Sequence, residues 1–219
     1  MTMPGFPPST VDSEGQPVWI RDLEDGYGNH ILHVVRGVEP VEALKALGAE
    51  PGSIRPCELP GSRPDESTSL PRAALGTDPG VAAVLLAGST GGWTFVYDDS
   101  GWTFEDEPAE TLSAGGRAAV TSSTTINGDA FFTYAVDGQK IVEISLDDLH
   151  LPDDLPGMPA ELRAAFEAAG VADWEDLEPG EVDTLIGMRA ACALAGLALT
   201  LDDIRRMPLL VAQTAQQLD

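Results

Sequence analysis

The chemistry open to this chain is bounded by three histidines and two cysteines in 219 residues. His30 and His33 fall in an apolar run, His30 to Val35, that reads as a strand. At that spacing they project from opposite faces and cannot share a metal as an i, i+4 helical pair does, so each reads as a core or edge histidine. His150 stands between Asp147-Asp148 and Asp153-Asp154, a set of carboxylates that could gather calcium. The prolines at 152 and 156, and the missing Asp-x-Asp-x-Asp-Gly order, argue against such a loop. Cys57 and Cys192 have no CxxC spacing and read as a loop thiol and a small buried hydrophobe. Ser89, in Ala87-Gly88-Ser89-Thr90-Gly91, has neither the GxSxG frame of a nucleophile elbow nor the lysine and following helix of a phosphate loop. Asp98 and Asp99 are adjacent carboxylates in a chain where carboxylates are abundant, which gives a glycosidase reading no special support. No catalytic, cofactor-binding or metal-ligating set emerges. What remains is a candidate binding surface of His33, Arg36, Trp93, Asp98, Asp99 and Trp102, of which His33, Arg36, Asp98 and Trp102 are expected near strand ends.

These residues are positioned by the middle of the chain. Val81–Leu86, Trp93–Asp98, Trp102–Glu105, Ala118–Thr124, Ala130–Val136 and Lys140–Leu146 are short β-branched and aromatic runs separated by Gly, Asp and Ser turns, the pattern of an antiparallel sheet. Asp137-Gly138 is a tight hairpin pair. Trp93, Phe95 and Tyr97 alternate with Thr94, Val96 and Asp98, so an aromatic stripe is expected in the sheet core. The His30–Val35 run is apolar on both faces and predicts an inner strand. It leads through Arg36-Gly37 to a helix opened by Pro40, with Val41, Leu44 and Leu47 on one face and Gly48 as its stop.

Residues 1–17 are rich in Pro, Gly, Ser and Thr without periodicity and predict a disordered N-terminal tail. Residues 51–80 hold six prolines and four glycines with no apolar period, which predicts a long loop over about 50–79, with a composition that leans to disorder. After Leu146 the period changes to helical. Pro159–Ala169 turns Leu162, Ala165, Phe166 and Ala169 inward, Asp173–Leu177 suggests a helical turn, and Glu181–Ala195 is apolar almost all round. Thr200 to Asp203 is a capping box with Asp in place of Glu, and Pro208 opens an expected last helix to about Gln216. The fold class is therefore α+β. A central antiparallel sheet of about six to seven strands carries an N-terminal strand-helix unit and C-terminal helices packed on one face, as a single domain over 18–219.

Charge narrows the partner. The chain has 36 acidic and 12 basic residues, net −24, with 21 acids and 8 bases up to residue 146 and 15 and 4 after it, so the acidity belongs to the whole surface and not to a tail. Such a surface repels phosphate backbones and anionic lipid heads, disfavouring nucleic-acid and membrane partners, and favours encounter with basic proteins. A general acidic bias of the host's proteins is the competing explanation. No apolar run reaches the roughly 20 residues of a spanning helix, and the opening MTMPGFPPSTVDSEGQP has no export signal, so a cytoplasmic location is expected.

VRGVEPVEALKALGAEPGSIRP (34–56) and ACALAGLALTLDDIRRMPLL (191–210), bracketing GWTFVYDDSGW (92–102), resemble an uncharacterised actinobacterial domain-of-unknown-function family. The matching motifs are a strand ending in Arg-Gly, a helix ending in Leu-Gly-Ala and a Leu-Thr helix start. They imply a shared fold and no reaction. The sequence thus leads to an acidic soluble protein that binds another protein or regulates it, an immunity-type antagonist of a toxin among the forms this takes, with enzymatic activity disfavoured and no cofactor. The alternative is a small-molecule binder or enzyme whose site follows no motif.

Overall fold

The computed structural model describes residues 3–24, 29–78, 82–104, 107–146, 149, 151–170 and 183–215. Eight strands form one sheet: β1 (His30–Arg36), β2 (Arg55–Cys57), β3 (Val84–Thr90), β4 (Trp93–Asp98), β5 (Ala118–Thr124), β6 (Ala130–Val136), β7 (Gln139–Ser145) and β8 (Leu209–Gln213). Their order is β2-β8-β3-β4-β1-β5-β6-β7, one strand more than the range expected from sequence, and every neighbouring pair is antiparallel. β1 lies between β4 and β5, the inner position that its apolar faces require.

The helices are α1 (Val18–Leu23), α2 (Pro40–Ala46), α3 (Leu70–Leu75), α4 (Pro108–Ser113), α5 (Leu151–Asp154), α6 (Ala160–Ala169), α7 (Ile186–Ala195) and α8 (Leu201–Arg205). They divide between the two faces of the sheet. Leu32, Val34, Phe95, Tyr97, Val120, Phe132 and Val211 meet α1, α6, α7 and α8 in the larger core. Trp19 of α1 is fully buried there, edge-on to Phe95 at 5.5 Å, with its indole N–H donating to the Leu197 carbonyl at 3.1 Å. α7 comes very close to the sheet because Gly187 has no side chain: a Cβ there would lie 2.7 Å from Leu146 and 2.9 Å from the Ser122 hydroxyl. The opposite face is covered by α2 and α4 over a smaller aliphatic core of Val35, Leu44, Leu47, Leu85, Val96, Leu112, Ala119 and Ala212.

Several expectations hold. The inward set of α6 is Leu162, Ala165, Phe166 and Ala169, and Thr200 and Asp203 form a reciprocal capping box at α8. Others are corrected. Trp102–Phe104 is a 3₁₀ turn and not a strand: both edges of β4 are already occupied by β3 and β1, so the chain leaving it has no strand to pair with. Leu209–Gln213 is a strand and not a helix. Its residues are apolar on both faces, which satisfies either period, and the gap between β2 and β3 decides the matter. Val41 is exposed and Ala43 takes its expected inward place. Residues 3–17, read from sequence as a disordered tail, include a buried Phe6, a Gly5 amide that donates to Ala168 at 2.9 Å, and a Gly15 carbonyl that accepts from Arg189. The proline-rich segment carries β2 and α3. The expected helical turn at 173–177, with His150, Asp147, Asp148 and Glu181, lies outside the described residues.

Candidate functional site

The six residues singled out from sequence separate into three places. Arg36 and Trp93 end β1 and begin β4 and are paired across the ladder. The Arg36 guanidinium lies over the Trp93 ring, 4.5 Å from its centroid, and donates to Glu161 of α6 at 2.6 Å. The Tyr134 hydroxyl donates to the other oxygen of Glu161, and burial with this carboxylate pushes the phenol up to about 12. This cluster ties α6 to the sheet.

Asp99 is at the far end of the same strand pair, buried against Arg72 of α3. Arg72 donates to its two oxygens at 2.9 and 3.0 Å, and the Ser69 hydroxyl and the Val84 amide complete the shell. Arg72 also reaches the carbonyls of Asp78 and Ala82, so this ion pair clamps the proline-rich segment onto β3.

His33, Asp98 and the turn that carries Trp102 form the third group, on the sheet face also covered by α2 and α4. Asp98 Oδ1 accepts from the amides of Ser100 and Gly101, and Oδ2 accepts from the Thr103 amide at 2.9 Å and its hydroxyl at 2.8 Å. These bonds curl the chain into the 3₁₀ turn. The Thr103 hydroxyl, having donated its proton to Asp98, must accept from His33 Nε2 at 2.8 Å, and His33 Nδ1 then accepts from Thr121 at 2.9 Å. One tautomer satisfies the whole chain of bonds. Burial holds the imidazole down to about 3, so it stays neutral, and burial raises the Asp98 carboxyl above the usual range against the amides that lower it.

Two aromatic side chains on either side of the inward Thr103 point outward. Trp102 is 44% exposed and Phe104 is 47% exposed, the latter 5.6 Å from Phe131 of β6. The adjoining β5–β6 turn projects Ile126, 64% exposed, whose amide is held by the Asn29 side chain at 2.7 Å; Gly101 packs against the same Asn29. Of the six sequence candidates, Trp102 belongs to this exposed corner, with His33 and Asp98 directly beneath it. Phe104, Phe131, Ile126 and Thr103 were not anticipated. The Trp-Thr-Phe alternation read as strand concealed them, and nothing local distinguishes an outward aromatic on a turn from an inward one on a strand.

Among the described residues no three His, Cys, Asp or Glu side chains gather where a metal could bind. Cys57 and Cys192 are free and buried, and burial raises both thiols, Cys57 to about 11, so neither is a ready thiolate. A groove of about 740 Å³, lined by Glu39, Val41, Cys57, Leu59, Arg205 and Met207 among others, runs beside the β2 edge.

A model of a family of unknown function, DUF6461, matches residues 16–212. No curated protein and no solved structure matches the chain.

Proposed function

The chain belongs to DUF6461, a family of unknown function, and from that premise we propose that it is a protein-binding module that engages a basic partner. The observation that carries this reading is where the charge lies. With a net charge of −24, the described carboxylates that are fully buried are only Asp98 and Asp99, and a few others such as Asp183 and Glu161 are half-buried in ion pairs, so most of the described acids face solvent. A surface of that kind accelerates encounter with basic proteins and repels nucleic acid and anionic membranes. No described helix is long and apolar enough to cross a membrane. An immunity-type antagonist covering the basic site of a toxic nuclease is the most specific form of the proposal.

The test is affinity capture from host extract on the immobilised chain, at low and at moderate salt, with retained proteins identified by crosslinking and mass spectrometry. A basic protein held at low salt and released as salt rises is the expected result. Recovery of no partner at either salt would sink the reading. The 740 Å³ groove supports a second one, a small-molecule site, because its lining mixes apolar Leu59 and Met207 with Glu39 and Arg205. Thermal-shift screening of a metabolite set, with hits lost when Met207 is changed to Glu, tests that alternative.

A further inference from the structure

We infer that the partner docks on the exposed corner formed by Trp102, Phe104, Phe131 and Ile126, and that the occupant is a protein segment in which arginine or lysine alternates with aliphatic side chains. This rests on the basic-partner reading and adds the surface and the chemistry that surface selects.

Three independent features converge. The first is composition. Exposed large apolar side chains are few among the described residues, and Trp102, Phe104 and Ile126 lie at one end of the sheet, where β1 and β6 begin and β4 and β5 end. Outward tryptophan, phenylalanine and isoleucine at one sheet end are costly in water and are the usual make-up of an interface centre.

The second is preorganisation. The aromatic turn is held from below by the Asp98–Thr103–His33–Thr121 chain of hydrogen bonds, all four residues buried. An apolar layer at these positions would stabilise the fold at least as well. What the polar chain adds is a fixed orientation for Trp102 and Phe104 before anything binds, which lowers the entropy lost on docking.

The third is charge. Between Arg72 and Arg163 the sequence has fifteen acids and only two bases, Arg117 and Lys140. Arg117 adjoins the start of β5, and Lys140 pairs with Ala135 near the end of β6, so both lie at the sheet end remote from the corner. Asp129, in the same turn as Ile126, and Glu143, across the ladder from Thr133, are described acids on that side. A partner segment must therefore bring positive charge to the rim and apolar groups to the centre. A guanidinium stacked on the indole of Trp102 satisfies both needs at once.

The experiment uses the full chain and three labelled synthetic peptides of equal length, alternating Arg-Leu, Arg-Gly and Glu-Leu, titrated by fluorescence anisotropy at low salt. The chain variants are Trp102→Ala with Phe104→Ala, and Ile141→Ala as an exposed apolar control at the other end of the sheet. The inference requires Arg-Leu to bind the natural chain more tightly than Arg-Gly. The double variant should then weaken Arg-Leu binding by about tenfold or more, the effect of losing an aromatic anchor, with Ile141→Ala without effect. If Arg-Leu binds the double variant as well as the natural chain, the corner is not the docking surface while the basic-partner reading stands. If neither basic peptide binds better than Glu-Leu, that reading fails and the inference with it. Self-association of the natural chain that the double variant abolishes, seen in sedimentation, would overturn the inference in favour of a second copy of this chain as the occupant.

Discussion

The two faces of the sheet solve different problems. One is dry and aromatic: Trp19, Phe95, Tyr97, Phe132 and Phe166 interlock beneath helices, with ring pairs at 5.0 to 6.4 Å. The other is aliphatic under α2 and α4. Towards the start of β1 it becomes polar, with His33, Thr121, Thr103 and Asp98 buried and the rings of Trp102 and Phe104 left outside. The first arrangement maximises burial. The second gives up some burial to fix a surface, and the contrast separates positions where substitution should cost stability from those where it should cost binding.

The largest effect is expected on the dry face. Trp19→Ala removes a fully buried indole and its hydrogen bond to Leu197, and should lower the unfolding free energy by about 3–5 kcal/mol in denaturant titration. A similar loss, about 3–5 kcal/mol, is expected for Arg72→Met, because Asp99 is then left charged and buried without its partner. Loss below about 1 kcal/mol in either variant would mean that the two faces do not differ as described.

The histidines sharpen the contrast through pH. The buried His33 and His30 are held down to about 3 and about 4, against 6.5 in the unfolded chain. Above 6.5 both are neutral in either state and contribute no slope. As pH falls below 6.5 the unfolded chain takes up protons that the fold excludes, so stability declines, by at most about 1.4 kcal/mol per pH unit for each histidine. Asp98, whose carboxyl is raised, works in the opposite sense, because its folded form takes a proton first on acidification. The readout is therefore a difference: a His33→Gln variant should lose stability less steeply than the natural chain from pH 6.5 towards 4. Parallel slopes would show that His33 is not held neutral by burial.

Much of the fold was legible in the sequence, and the exceptions have physical causes. Period-two alternation places β1 and β4 to β7 because each turns at least one regular face towards the core, half-buried in β7, and the α6 inward set follows from its 3.6 period. β8 was read as helix because Leu209 to Ala212 is apolar at every position, so only the vacancy beside β3 decides its form. The two buried ion pairs were invisible. Arg72 finds Asp99 across 27 residues, and Arg189 inside the apolar α7 finds Asp183 and the carbonyls of Gly15, Ala169 and Gly170. No spacing rule connects such partners. Of the candidate site, Trp102 was identified for its type and not for its setting. Asp98 and Asp99 were grouped as neighbours although their side chains serve opposite faces, as adjacent residues at a strand end must.

The hydroxyl of Thr103 is where the polar layer can be cut without touching an aromatic ring. Thr103→Val leaves His33 Nε2 and Asp98 Oδ2 each short of a partner in a buried setting, and should cost about 1–3 kcal/mol. Thr103→Ser, which keeps the donor and acceptor, should restore most of it.

The smallest stability effect is expected where the binding effect is greatest. Trp102 and Phe104 already expose nearly half their surface, so replacing both by alanine forfeits only part of an aromatic burial and leaves the Asp98–Thr103–His33 chain intact. The unfolding free energy in denaturant titration should fall by no more than about 1–2 kcal/mol, well short of the loss in Trp19→Ala. Removing these rings from the solvent face should also raise solubility at high salt, where the repulsion among surface carboxylates is screened and apolar contacts between molecules gain weight. If the double variant instead lost stability on the scale of Trp19→Ala, Trp102 and Phe104 would belong to the core, and the two faces would share one purpose.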